Sequence, residues 1–349
     1  MAGSVATGEV LEDLRAEGEE LDALVAPLAE GRGLGAETGP APGAGAGGAG
    51  WSAASPAPGW TVAHQIAHLA WTDERALLAV RDPEVFRRET DAAFADPGAV
   101  DTYVDDGARR GAARPPEELL AAWRTGRRAL GEALAETAAR PGRPRIPWYG
   151  PPMSVAAMAT ARLMETWAHG EDVAQALGVR RAPTARLRHV AWLGVRTRDF
   201  AYAGRGLEPP GEPFRVELTP PEAGRAATSP GTATTGARVA TTDTGPDTAS
   251  DTDTDTDTDT DTGPATVPGS SPAVWAYGPE DAAQRVTGSA LDFCLLVTQR
   301  VHREDTDLCA VGAEAERWLR LAQAFAGPPG AGRAPGTRKP GSGDAGARR

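Results

Sequence analysis

The chain has 349 residues, of which 42 are Gly and 30 are Pro; they cluster in residues 31–59, 220–272 and 327–349, stretches too poor in apolar surface to offset the entropy of ordering. Eight aspartates between Asp243 and Asp261 inflate the formal net charge of −12; without them 40 acidic residues face 36 basic ones, so the remainder is mildly acidic and lacks the basic footprint of a phosphate-backbone binder. No run approaches the roughly 18 apolar residues of a membrane span, the two cysteines make no C-x-x-C pair, and Glu9, Glu12, Asp13 and Glu17 precede any apolar run, which together point to a soluble cytoplasmic protein without a disulfide frame.

Along the chain, Val10, Leu14, Leu21, Leu24, Val25 and Leu28 recur at helical spacing and predict a first helix over 10–29. Gly31 to Gly50 then reads as a flexible connection. A second helix follows Pro58-Gly59-Trp60, with Thr61 as N-cap, through Val62, Ile66, Leu69, Leu77 and Val80 to about Arg81. A third begins after Pro115-Pro116, with Glu117 and Glu118 in the first turn where the macrodipole favours anions, and carries Leu119, Leu120, Trp123, Leu130 and Leu134. Ser154 caps a fourth through Val155, Met158, Leu163, Trp167 and Val173, stopped by Gly178, and a fifth is expected over 184–203. Long helices with polar outer faces imply a bundle over 8–205, with the Gly-rich insert 31–59.

After Pro209-Pro210 the apolar period falls to two, with Phe214, Val216 and Leu218 as a half-buried strand whose expected partner is Val274 to Tyr277. The Asp-Thr repeat between them contains no apolar residue and reads as an unstructured loop over 220–272. Helices over 280–302 and 313–326 and a short strand near Leu308 to Val311 complete a small α+β module, 210–326, ahead of an unstructured tail, 327–349.

Glu165 and His169, four residues apart on the fourth helix, share one face and can grip a single ion. His68, among Ile66, Leu69 and Trp71 of the second helix, is a third candidate, and two histidines with one glutamate are a ligand set of open catalytic zinc sites. On spacing alone, an ion pair between Glu165 and His169 and a satisfied core histidine at 68 are the commoner readings. Beside them, His64 reads as a fourth ligand or a first-turn residue near solvent, and Asp172 as a partner for the His169 imidazole or a solvated carboxylate. Arg285 and Arg300 read as anion-binding groups reaching over from the second module or as surface ion pairs, and Cys294 as a small core residue.

Two motifs go further. Pro58-Gly59-Trp60-Thr61 followed by Ala67-His68-Leu69, and Glu165-Thr166-Trp167-Ala168-His169 with Asp172 beyond it, resemble the paired signatures of the mycothiol-dependent maleylpyruvate isomerase N-terminal domain, in an actinobacterial branch of the DinB-like superfamily. The resemblance implies a DinB-like four-helix bundle with a smaller C-terminal α+β module, and a divalent metal, zinc, held by His68, Glu165 and His169. It further implies a thiol-dependent isomerase or S-transferase, with mycothiol as co-substrate and a small electrophile as substrate. The alternative is a metal-binding or stress-response protein without turnover. A third reading rests on Tyr277-Gly278-Pro279-Glu280-Asp281, Arg285-Val286-Thr287-Gly288 and Leu291-Asp292-Phe293, which are similar to a wybutosine-synthesis accessory domain and imply a tRNA-modification accessory, against the acidic charge balance.

Overall fold

A computed structural model describes residues 2–30, 50–95, 97–221, 274–327, 330 and 332–337. The Asp-Thr repeat, the Gly-rich residues 31–49 and the last twelve residues lie outside the described residues. The protein is mainly helical, with a bundle followed by a small mixed module.

Four helices make the bundle: α1 (Ala2–Ala29), α2 (Val62–Arg81), and, after two shorter helices, α5 (Pro116–Ala138) and α6 (Val155–Leu177). Both α1 and α2 pack against α5 and α6. The termini behave as their residues dictate. Ser154 Oγ accepts the Ala157 N–H at 3.1 Å to start α6, and Gly178, at φ +69°, supplies the left-handed residue that ends it. At the head of α2, His64 Nδ1 reaches back to the Thr61 N–H at 3.3 Å, the place a glutamate takes in a capping box.

The two shorter helices, α3 (Pro83–Phe94) and α4 (Pro97–Ala112), stand where no element was expected. Asp82 caps α3 by accepting from the Val85 N–H at 3.0 Å, with Pro83 at its first position. The α4 helix lies close against α2: a Cβ on Gly107 would sit 2.7 Å from the Trp71 ring, so only glycine allows that approach. The helix expected over 184–203 is two, α7 (Leu187–Arg196) and α8 (Arg198–Ala203), which meet at Thr197, where the hydroxyl bonds the Leu193 carbonyl at 2.9 Å.

The module holds a four-stranded sheet in the order β2-β1-β3-β4: β1 (Phe214–Thr219), β2 (Trp275–Tyr277), β3 (Gln284–Ser289) and β4 (Cys309–Val311). The pairing of β1 with β2 is antiparallel, with Leu218 opposite Trp275, while β1 with β3 is parallel, with Val216 opposite Val286. The expected helix over 280–302 is therefore corrected: its first part is β3, and α9 (Ala290–Val297) begins only after Ser289 caps it through the Asp292 N–H at 3.0 Å. Gln284 and Val286 are buried and alternate with half-buried Arg285 and Thr287, a period of two that the apolar run after Leu291 masks in the sequence. The last helix is α10 (Ala313–Leu321).

One apolar cluster joins the two parts, running from Leu134, Met158 and Leu163 of the bundle through Val190 to Val216, Val286, Phe293 and Trp318; a second fills the other end of the bundle around Leu21, Ile66, Leu69, Leu119 and Trp123. Within the Gly-rich stretch, Trp51 and Ala53 are buried: Trp51 is 7% exposed and its carbonyl accepts the Ala63 N–H at 2.9 Å. Residues 332–337, within the expected tail, lie against the bundle. No helix among the described residues is long and apolar enough to cross a membrane.

Candidate metal centre

His68 is buried in the middle of α2, between fully buried Ile66 and Leu69. Glu165 and His169 project from one face of α6 toward it. Register between the helices is pinned by a buried ion pair: Arg162 of α6 donates through Nε to Asp73 Oδ1 at 2.9 Å and through Nη2 to Thr72 Oγ1 at 2.7 Å, and Thr72 in turn donates to the His68 carbonyl at 2.8 Å.

The result is one carboxylate oxygen facing two imidazoles. Glu165 Oε2 lies 3.3 Å from His68 Nε2 and 3.1 Å from His169 Nε2, and the three donor atoms fall within 4.8 Å of one another. Two ligands about 2.05 Å from a tetrahedral zinc ion sit roughly 3.3 Å apart, a spacing that both Glu165–imidazole distances match, so the chemistry and spacing of the donor set suit a divalent ion. His169 Nδ1 is 2.5 Å from Gln65 Oε1; since an amide oxygen only accepts, this partner puts the proton on Nδ1 and leaves the Nε2 lone pair to the shared point.

Protonation states agree with that reading. Burial, then repulsion from His68, drives the His169 imidazole down to about 4 against the opposing pull of Glu165, so it is neutral at physiological pH. Burial also pushes the Glu165 carboxyl up, but the facing imidazoles of His169 and His68 outweigh it and hold the group well below the usual carboxylate range. A neutral imidazole and an ionised carboxylate are the forms that ligate. The Trp60 ring covers the cluster, its centroid 5.5 Å from that of His68 and 6.1 Å from that of His169, stacked on the latter.

Other candidates fall elsewhere. His64 serves as the α2 cap, and Asp172 does not orient the imidazole: it is an ion-pair partner of Arg300 at 3.0 Å and of Arg333 at 2.6 Å. Arg300 comes from the second module, donates to the Ala168 carbonyl at 3.2 Å, and its charge acts on His169. Arg285 stays on the sheet, paired with Glu217 at 3.1 Å. Cys294 is buried and Cys309 exposed, both as free thiols. The sequence reading missed Gln65, Arg162, Asp73 and Arg333. Gln65, three residues before His68, lies one turn away on the same helix and was open to inspection; Arg333 carried no local signal.

Comparison with known proteins gives the same picture of the N-terminal part. The family described as mycothiol maleylpyruvate isomerase N-terminal domain matches residues 36–174, and the family described as wyosine base formation matches residues 270–311. An uncharacterised protein of Mycobacterium tuberculosis, present in the CDC 1551 / Oshkosh and H37Rv strains, is 46% identical over 326 residues, covering 93% of this chain and 98% of the relative. Crystal structures of the mycothiol-dependent maleylpyruvate isomerase and of a histidine-to-alanine variant of it align over 87% of this chain and 92% of theirs, at 14% identity and a TM-score of 0.46.

Proposed function

Because the chain belongs to the family of that mycobacterial protein and carries the mycothiol maleylpyruvate isomerase N-terminal domain, we propose that it is a metal-dependent enzyme joining a low-molecular-weight thiol of the mycothiol kind to a small electrophile, as an isomerase or S-transferase. The observation that carries the reading is the convergence of His68, Glu165 and His169 on one point, from the two helices that bear the family's motifs. We assign these three as the ligands of a divalent ion, zinc by the character of the set. A bound ion of this kind supplies Lewis acidity that lowers the pKa of a thiol reaching its open position.

The chain's own groups set the conditions for that chemistry. Gln65 holds the tautomer and orientation of His169. Trp60 shields the cluster from bulk water, which strengthens electrostatic interactions inside it. Arg300 brings a fixed positive charge to the site edge and favours an anionic electrophile.

Elemental analysis of the purified chain tests the assignment: about one divalent ion per chain is expected for the wild type and under a tenth of that for His68→Ala, Glu165→Gln and His169→Ala. Equal metal content in all four proteins removes the site. A panel of electrophiles with mycothiol then tests turnover, and a chain that binds metal but neither binds nor consumes the thiol is a metal-binding protein without this chemistry. The wyosine-type match over β2, β3 and α9 favours a second reading, an accessory of tRNA modification; tRNA binding at low salt supports it, and none closes it.

A further inference from the structure

Arg333 lies in the C-terminal segment that the sequence left without structure, yet its side chain is only 15% exposed. Its Nη2 donates to Asp172 Oδ1 at 2.6 Å, and its Nη1 donates to the Pro56 carbonyl. Asp172 is nearly completely buried and takes Arg300 on its other oxygen at 3.0 Å. Three residues along, the Gly336 N–H donates to both carboxylate oxygens of Asp305 at 2.9 Å, so the segment is held at two points.

Both partners of Arg333 lead to the same imidazole. Asp172 is three residues beyond His169, nearly one turn of α6. From Pro56, the neighbouring Ser55 hydroxyl donates to the Trp60 carbonyl at 3.1 Å and accepts from Gln65 Nε2 at 2.8 Å, while Gln65 Oε1 meets His169 Nδ1 at 2.5 Å. The loop that Arg333 grips thus carries Trp60, which covers the cluster, and braces Gln65, which orients a ligand.

We propose that Arg333 is a positioning residue for the metal centre: by tying Asp172 of α6 to the Pro56 carbonyl ahead of α2, it fixes the geometry in which Gln65 presents His169 to the ion. The inference rests on the assignment of His68, Glu165 and His169 as ligands. It is physically reasonable in size, since loss of a group that orients a ligand costs about 10–100-fold in metal affinity. A segment that merely tethers the C-terminus would alter stability and leave the ligand field untouched.

Cobalt(II) titration of the full chain, followed by its d–d absorption, separates the two. Arg333→Ala is expected to weaken cobalt binding about tenfold or more and to shift the d–d bands in the same direction as Gln65→Ala. The double variant should be no more than about twofold weaker than the worse single one, because both act through one connection. Arg333→Lys keeps the charge on Asp172 with the least disturbance of the fold and should fall between Arg333→Ala and wild type. Wild-type affinity and an unshifted spectrum in Arg333→Ala, or losses that multiply in the double variant, overturn the role. A wild-type chain that takes up no cobalt fails earlier, at the metal centre itself, and the inference falls with it.

Discussion

Glu171 is two residues past His169 but meets Arg181 at 3.2 Å, in a buried cluster with Glu17 and Glu20 of α1. Burial, and then repulsion from Glu17, Glu20 and Asp172, raises its carboxyl to about 7 against the pull of Arg181. A carboxyl raised above its unfolded value of 4.5 stabilises the fold in its protonated form; that contribution is complete below pH 4.5 and is lost as the pH rises through 7. Glu171→Gln, which imitates the protonated form, should match wild type near pH 4.5 and exceed it at pH 8 by up to about 3 kcal/mol in urea unfolding. A difference that does not change with pH contradicts the assignment. At this scale the sequence disclosed what is local. Glu165 and His169 share a helix face by spacing, whereas Gln65 meets His169 across 104 residues and Arg333 meets Asp172 across 161. Such long separations leave no periodicity to read.

Between elements, the Arg162–Asp73 pair is the contact that sets α2 against α6. Its side chains are 3% and 5% exposed. Removing one partner strands the other charge in the interior, so Asp73→Ala should destabilise the fold by about 3–5 kcal/mol. Denaturant unfolding measures this, and a loss below about 1 kcal/mol would mean that water reaches Arg162. Helices with a continuous apolar stripe were readable, as α2, α5 and α6 show. The α3 helix buries only Phe86 and so offers no stripe, although Asp82-Pro83 announces its start. For β3 the failure is of another kind: Gln284-Arg285-Val286-Thr287-Gly288-Ser289 carries one large apolar residue, too few to display a period of two, and the apolar α9 that follows begins at the Ser289 cap.

Across the whole molecule, the bundle and the module share one apolar cluster, so the fold is built around long-range contacts. The β1–β2 pair closes a loop of 56 residues, 219–274. Deleting 222–270 leaves seven residues, 219–221 and 271–274, to make the turn. Shortening the loop this far should raise stability by up to about 2 kcal/mol through the lower entropy of closure and leave metal content unchanged. A fall in melting temperature or in metal content would assign the deleted residues a part in the fold. The bundle and strand β1 were legible as wholes because each carries its own period; the docking of residues 332–337 was not, since a Gly- and Pro-rich composition says nothing about a single arginine's partners.

The central place of β1 has a consequence for biosynthesis. Both its neighbours, β2 and β3, are encoded downstream, and β3 starts 65 residues after β1 ends. A ribosome adding about 5–20 residues per second needs roughly 3–13 s to span that gap. Until β2 is made, late in that interval, the nascent strand offers two bare hydrogen-bonding edges and the side chains of Phe214, Val216 and Leu218, a template that a neighbouring polysome product can capture. Recovery of folded protein on overexpression should therefore rise when a holdase chaperone is supplied, by keeping that strand single until its own partners emerge.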